Sequence, residues 1–126
     1  MPASVRLASP RTLPETARTL RRLGLRISAE GALTIAPASS YFPGKVGRSA
    51  AVPPLLVPET TSPARTLALL RKLGETAAGP FFAAGKAGQI NAALFAAACL
   101  ATRDPKLRCA LDRFRSRQTS SVPLRP

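Results

Sequence analysis

Short apolar blocks and longer amphipathic blocks alternate along the chain, separated by glycine, proline and serine. The apolar blocks predict β-strands over residues 5–7, 32–36, 54–58 and 81–84. The amphipathic blocks predict helices over residues 13–23, 46–51, 63–73, 89–101 and 105–118. Strands that alternate with helices favour a parallel sheet covered by helices on both faces. We therefore expect one α/β domain over 1–118, followed by an extended tail over 119–126.

The predicted helix ends carry capping residues. Thr12 and Glu15 have the spacing of a capping box at the start of the first long helix, and Gly24 is placed to end it. Gly74 is placed to end the helix that begins near residue 63. Two further N-caps, each followed by a proline at the first helical position, are predicted at Ser62 and Asp104.

Composition narrows the chemistry that this chain can perform. Its 126 residues include no histidine, which excludes an imidazole acid or base, a Ser-His or Cys-His nucleophile pair, and a histidine metal site. Cys99 and Cys109 are too few for a disulfide framework or a zinc site, so we expect free, inert thiols and neither a metal nor a cofactor. With no tryptophan and 5% aromatic residues, the core must consist mainly of alanine, leucine, valine and isoleucine.

The chain is strongly basic. Nineteen Lys and Arg residues against six Asp and Glu give a formal charge of +13, spread from Arg6 to Arg125. Such a surface suits contact with RNA or anionic lipid, although a compositional bias gives the same excess and no aromatic residues interleave with the basic ones. The longest apolar stretch, 90–101, is too short to span a membrane, and no secretory signal is visible.

Three predicted turns follow strands at the edge where open α/β sheets bind ligands: 9–14, 39–44 and 85–88. In the last turn, backbone N–H groups, a helix N-terminus and the Lys86 ammonium are available to an anion. Its Gly-Lys-Ala-Gly sequence lacks the spacing of a phosphate-binding P-loop. A structural turn with a solvated lysine is therefore the alternative interpretation.

The carboxyl-terminal part of the chain resembles a known family. Gly-Lys-Ala-Gly-Gln-Ile-Asn-Ala-Ala-Leu from Gly85, Leu-Ala-Thr-Arg-Asp-Pro from Leu100 and Phe-Arg-Ser-Arg-Gln-Thr from Phe114 are similar to PurE-type enzymes. These are the 5-(carboxyamino)imidazole ribonucleotide mutases and aminoimidazole ribonucleotide carboxylases of purine synthesis. The resemblance continues upstream from Ser9 to Pro58 and implies a flavodoxin-like, three-layer αβα fold and a homo-oligomer.

The same resemblance shows where the chain departs from the family. The family's Ser-Ala-His-Arg-Thr-Pro turn falls on residues 9–14 and its Ala-Ala-His-Leu-Pro-Gly turn on 39–44. Arg11 and Tyr41 stand at the two histidine positions, as degenerate equivalents of catalytic residues. A shift of one residue would instead align Arg11-Thr12 with the family's Arg-Thr. The remnant of the ligand site that the resemblance implies consists of Ser9, Ser39, Pro43, Gly44, Gly85 and Lys86.

The resemblance begins near the family's second strand, so we expect a sheet truncated by its first strand-helix unit and by the turn that holds the substrate phosphate. An exposed sheet edge of that kind needs a partner. The leading hypothesis is a non-catalytic structural subunit of a larger organellar, ribonucleoprotein or membrane assembly, in the mitochondrion or another organelle. Its partners are other protein subunits, with RNA or anionic lipid on the basic surface. The alternatives are a cytoplasmic carboxylase or mutase of purine synthesis and a ligand sensor without chemistry.

Overall fold

A computed structural model describes residues 3–38, 54–59, 62–76 and 80–123. The strands in these ranges are β1 (Ser4–Leu7), β2 (Arg26–Ile27), β3 (Leu33–Pro37) and β4 (Leu55–Val57). The helices are α1 (Pro14–Arg22), α2 (Pro63–Thr76), α3 (Lys86–Ala101) and α4 (Pro105–Ser121). The helix predicted over 46–51 lies outside the described residues.

The four strands form a parallel sheet in the order β2-β1-β3-β4. Beyond β4, Phe81 forms a parallel bridge with Leu56, whose N–H donates to the carbonyl of Pro80 at 3.1 Å. The segment over 81–84 is therefore not a full strand as predicted, and it contributes this single bridge at the edge of the sheet next to β4, where a fifth strand would lie. An order of 2-1-3-4-5 is that of the flavodoxin-like fold, which confirms the predicted fold class.

β2 and β3 are consecutive in sequence but lie on opposite sides of β1. Only residues 28–32 join β2 to β3. Ile27, at the end of β2, and Leu33, at the start of β3, both pair with Val5 of β1. The chain therefore crosses over β1 without running back along the length of a strand, and a five-residue connection is long enough.

The crossover lies directly on the backbone of β1. The N–H of Ser28 donates to the carbonyl of Val5 at 3.0 Å, and the N–H of Ala32 donates to that of Ser4 at 3.1 Å. At Gly31, a Cβ atom would overlap the amide nitrogen of Arg6 and the carbonyl carbon of Val5. A glycine is therefore required where the crossover passes β1.

The core has two parts, one on each face of the sheet. The larger part lies against α1, α3 and α4, and four fully buried alanines of α3 let that helix pack closely. The smaller part lies beneath α2, which buries Leu73 against Ala36 and Leu56. The prediction of a core of small aliphatic side chains is confirmed. The largest side chains that are completely buried include Leu13, Leu20 and Ile35.

Several predicted helix ends are confirmed and two are wrong. Gly24 has a φ of 79° directly after α1, and the carboxylate of Asp104 caps α4 by accepting from the N–H of Leu107 at 3.2 Å. α2 continues past Gly74 to Thr76, since a glycine is tolerated within a helix. α4 continues to Ser121, so residues 119–121 are helical and do not belong to an extended tail.

Candidate functional site

The turn after β1 leads from the carboxyl edge of the sheet into α1. Ser9 has a φ of 54°, in the left-handed region that residues other than glycine seldom adopt. Its carbonyl accepts from the N–H groups of Thr12 at 2.9 Å and Leu13 at 3.2 Å, which closes the turn. Backbone strain of this kind is found preferentially where a fold places a ligand, and this turn lies beside β3 at the switch point of the sheet.

The second turn leads into α3 and contains a glycine with a positive φ, a conformation that other residues seldom adopt. Gly85 precedes α3 with a φ of 87°, and Lys86 is exposed in the first helical turn. Gly88 is buried, and a Cβ atom there would overlap the carbonyl oxygen of Ala83. The Gly-Lys-Ala-Gly sequence is therefore required for the close approach of α3 to the preceding segment, and it leaves Lys86 at the surface.

Gln89 joins the two turns. Its Oε1 accepts from the N–H of Glu15 at 3.0 Å, and its carbonyl accepts from the hydroxyl of Thr16, which is completely buried, at 2.7 Å. The capping box predicted from Thr12 and Glu15 is wrong: Leu13 is the N-cap and makes no side-chain capping bond. A glutamine from α3 caps α1 instead, and no local sequence signal indicates a partner 74 residues away.

The predicted site residues fall into two groups. Ser9 and Arg11 lie in the first turn and Gly85 and Lys86 in the second, on neighbouring helix starts. Four others lie outside the described residues: Ser39, Tyr41, Pro43 and Gly44. The structure thus describes four of the eight predicted residues, on two turns whose helices are joined by Gln89.

Arg11 lies in a positively charged surface depression of about 540 Å³. The lining residues are Pro10, Arg11, Pro14, Ala17, Arg18, Arg21 and Arg22. All four charged members are arginines, and the Arg11 side chain is exposed to solvent. Because guanidinium groups stay protonated in proteins, this surface can attract an anion but cannot accept a proton near neutral pH.

Over 3–38, 54–59, 62–76 and 80–123, no three His, Cys, Asp or Glu side chains converge on a point that could hold a metal ion. Cys99 and Cys109 are exposed free thiols, as predicted. No helix in the described part of the chain is long and apolar enough to cross a bilayer.

Comparison with known proteins shows relatives along nearly the whole chain, although no family model matches it. It is 31% identical over 121 residues to an N5-carboxyaminoimidazole ribonucleotide mutase of Vibrio vulnificus, covering 94% of this chain and 73% of that protein. It is 32% identical over 117 residues to the bifunctional purine synthesis protein purC/E of Dictyostelium discoideum, covering 90% of this chain and 11% of that protein. A 44-residue segment is 54% identical to the mutase of Brucella melitensis, covering 35% of this chain and 27% of that protein.

Proposed function

Because the chain belongs to the PurE-type family of purine biosynthesis, we propose that it is a member that has kept the fold without the proton chemistry and acts as a structural subunit of a larger assembly. The observation that carries this proposal is the absence of histidine from all 126 residues. In the family resemblance, one of the two missing histidines shuttles the proton during carboxyl transfer. Arg11 stands at its position.

The chemistry explains why the substitution matters. Moving a carboxylate on an aminoimidazole ring requires a group that gives and takes a proton near neutral pH. Arginine side chains stay protonated there, and tyrosine hydroxyls ordinarily titrate near pH 10, so neither residue type replaces an imidazole. Loss of a positioned acid or base lowers a rate by about 10²- to 10⁴-fold. Arg11 therefore supports anion binding and not proton transfer.

The sheet face that carries Arg6 supports the structural role. Val5 and Leu7 of β1 point into the larger core, whereas Arg6 points to the other face and is exposed. On that face the five-residue crossover over 28–32 lies on β1. Parallel sheets are normally covered by helices on both faces, and five residues cover less of a strand than a helix does, so we infer that a partner subunit contacts this face. Exposed large apolar side chains elsewhere are Leu67, Phe81, Phe95 and Val122.

Surface charge supports the choice of partner. α1 and α4 carry eight arginine and lysine residues and two acidic residues between them. We infer protein subunits with acidic contact surfaces as partners, with RNA or anionic lipid as the alternatives for the basic helices.

We also infer a location in the mitochondrion or another organelle, since residues 1–60 contain only three acidic side chains. Immunolocalisation of the full chain tests this location, and a purely cytoplasmic signal contradicts it.

Sedimentation of native extracts tests the structural role. We expect the chain to sediment in a particle much larger than its own 13.2 kDa. Arg6→Glu, at the exposed Arg6 side chain beside the crossover, should move most of the chain to the top of the gradient. Arg103→Glu, between α3 and α4, makes the same charge change and should leave the chain in the particle.

Ribonuclease treatment of the same extract distinguishes the partners. Persistence of the particle supports protein subunits, whereas its collapse indicates RNA. A chain that migrates alone as a small homo-oligomer would contradict the structural role.

The second candidate function is the enzymatic activity itself, as a carboxylase or mutase of purine synthesis. The comparisons favour this candidate more directly, because two of the relatives are named as mutases and the third as a purine synthesis protein. Conversion of N5-carboxyaminoimidazole ribonucleotide by the purified chain, above the uncatalysed rate, supports this candidate and overturns the first. In that case the chain is expected in the cytoplasm.

A further inference from the structure

The sheet is open along the edge beyond β4, at residues 80–83, which we call the edge segment. The N–H of Leu56 donates to the carbonyl of Pro80 at 3.1 Å, and the N–H of Phe82 donates to the carbonyl of Leu56 at 3.0 Å. Successive residues of a strand direct their main-chain groups to opposite sides, so those of Phe81 point away from β4. In the part of the chain that the structure describes, neither the N–H nor the carbonyl of Phe81 forms a hydrogen bond. Phe81 therefore offers a donor and an acceptor to an added strand.

Aromatic side chains lie on both faces of the sheet at this edge. Phe82 packs against the larger core, and its ring meets that of Phe95 from α3 at a centroid distance of 5.7 Å. Phe81 pairs with Leu56, which belongs to the smaller core, so the Phe81 side chain lies on the opposite face of the sheet. Phe81 and Phe95 remain 41% and 42% exposed. A strand added at this edge would therefore bury apolar surface on both of its faces.

The other edge of the sheet has features that prevent such pairing. β2 forms that edge, contains two residues and carries the exposed Arg26. Short strands and charged side chains are devices by which proteins keep other chains from pairing with a sheet edge. The edge segment, Pro-Phe-Phe-Ala, contains no charged residue. The edge beyond β4 thus lacks the protection that is present at β2.

Charge indicates the chemistry of the partner. Between Glu75 and Asp104 the sequence contains no acidic residue, whereas Lys86 follows the edge segment closely and is exposed. The whole chain has a formal charge of +13, which opposes pairing of this edge with a second copy of the chain. Acidic residues beside an apolar run would instead complement Lys86 and the surrounding surface.

We propose that the edge segment binds an extended segment of another protein by adding it to the sheet as a strand. The bound segment is a short run of β-branched apolar residues, because both of its faces meet phenylalanine rings, and acidic residues flank the run. The N–H and carbonyl of Phe81 form main-chain hydrogen bonds with it, while the rings of Phe81 and Phe95 contact its side chains. This inference does not depend on the proposed function, because an open edge accepts a strand in an enzyme as well as in a structural subunit.

Amide hydrogen exchange, followed by NMR spectroscopy on the purified full chain, tests the proposal at Phe81. The probe is a synthetic peptide in which a run of valine and isoleucine stands between glutamates. We expect the Phe81 amide to exchange rapidly in the free chain and about tenfold more slowly, or slower still, with saturating peptide. The Phe82 amide, which already donates to Leu56, is the internal control and should be protected in both samples.

Two results of the exchange experiment would overturn the proposal. An unchanged exchange rate at Phe81 in the presence of the peptide would show that no strand is added there. A Phe81 amide that is already protected in the free chain would show that this chain or a second copy covers the edge.

Two matched peptides separate strand addition from general adhesion. N-methylation along the apolar run removes the donors of the peptide and keeps its side chains, so it should abolish the protection of Phe81. Replacement of the flanking glutamates by lysines should lower the affinity by about tenfold at low ionic strength. Equal binding of the N-methylated peptide would contradict strand addition, and equal binding of the lysine peptide would contradict the acidic partner.

Variants at Phe81 test the main-chain bond from the side of the protein. Phe81→Pro removes the outward N–H and places the proline ring where the added strand would lie, while the two bonds of the edge segment to Leu56 can be kept. Phe81→Ala removes the same aromatic ring and keeps the N–H. We expect Phe81→Pro to bind the glutamate-flanked peptide about tenfold more weakly than Phe81→Ala does. Equal affinities would contradict main-chain pairing at Phe81. Thermal melting confirms that each variant is folded, and the N-methylated peptide provides the same test on the wild-type chain.

Discussion

Substitution of Gly31 by alanine is expected to unfold the domain or to lower its free energy of unfolding by about 3 kcal/mol or more. The added methyl group would overlap the main-chain atoms of Val5 and Arg6, and main-chain atoms of a central strand cannot move aside as a side-chain end can. A small domain has only about 5 to 15 kcal/mol of total stability, so the loss is large. Chemical denaturation of the purified variant measures it.

Gly74→Ala is the matched control for this experiment. No atom lies within 4 Å of a Cβ added at Gly74, which is within α2. This substitution should stabilise the domain by about 0.5 to 1 kcal/mol, because alanine loses less backbone entropy than glycine in a helix. A Gly31→Ala variant as stable as the wild type would show that the crossover over 28–32 does not lie on β1.

Gly88→Ala is the second substitution with a large expected effect. The new methyl group would overlap the carbonyl oxygen of Ala83, so the first turn of α3 would have to move away from the sheet. That movement would also break the bonds from Gln89 to Glu15 and Thr16, which tie α3 to α1. We expect a loss of about 3 kcal/mol or more, measured by thermal or chemical denaturation.

Gly74→Ala again separates a local clash from a general effect of adding a methyl group. If Gly88→Ala melted at the wild-type temperature, the close contact between α3 and residue 83 would be contradicted. The role assigned to the Gly-Lys-Ala-Gly turn as a packing element would then be wrong as well.

Much of the fold could be predicted from the sequence, because local patterns determine it. β3 and β4 are apolar runs bounded by prolines. The carboxylate of Asp104 caps α4 by accepting from the N–H of Leu107, only three residues along the chain. The apolar positions of α4 are buried as its helical spacing predicts. Features that depend on a single short stretch of chain were therefore predicted well.

The remaining features depend on residues that are distant in sequence. β2 contains two residues, one of them the exposed Arg26, and carries no strand pattern. The cap of α1 is supplied by Gln89 from another helix. The short connection from β2 to β3 depends on the register of β1 with both neighbours, which the sequence of Gly31 and its surroundings does not reveal.

The candidate site was predicted only in part for the same reason. The sequence identified the turns at Ser9 and Lys86, and the structure places both at neighbouring helix starts. Tyr41, which the resemblance places at the second histidine position, lies outside the described residues.

Membership of the PurE-type family and the absence of histidine together define the functional question. The chain is 31% identical, over 94% of its length, to a relative named as a mutase, and it belongs to the same family. The chain has no histidine, and the resemblance places Arg11 at one of the family's histidine positions. We therefore propose that this chain has kept the fold of the family without its reaction.

The most direct test measures conversion of N5-carboxyaminoimidazole ribonucleotide by the purified full chain, beside an Arg11→Ala variant and a buffer control. The variant detects a contaminating enzyme from the expression host, whose activity would be the same in both protein samples. We predict that the wild-type chain and the variant both match the uncatalysed rate. Turnover by the wild-type chain well above that rate, with loss of the excess in Arg11→Ala, would contradict a non-catalytic role.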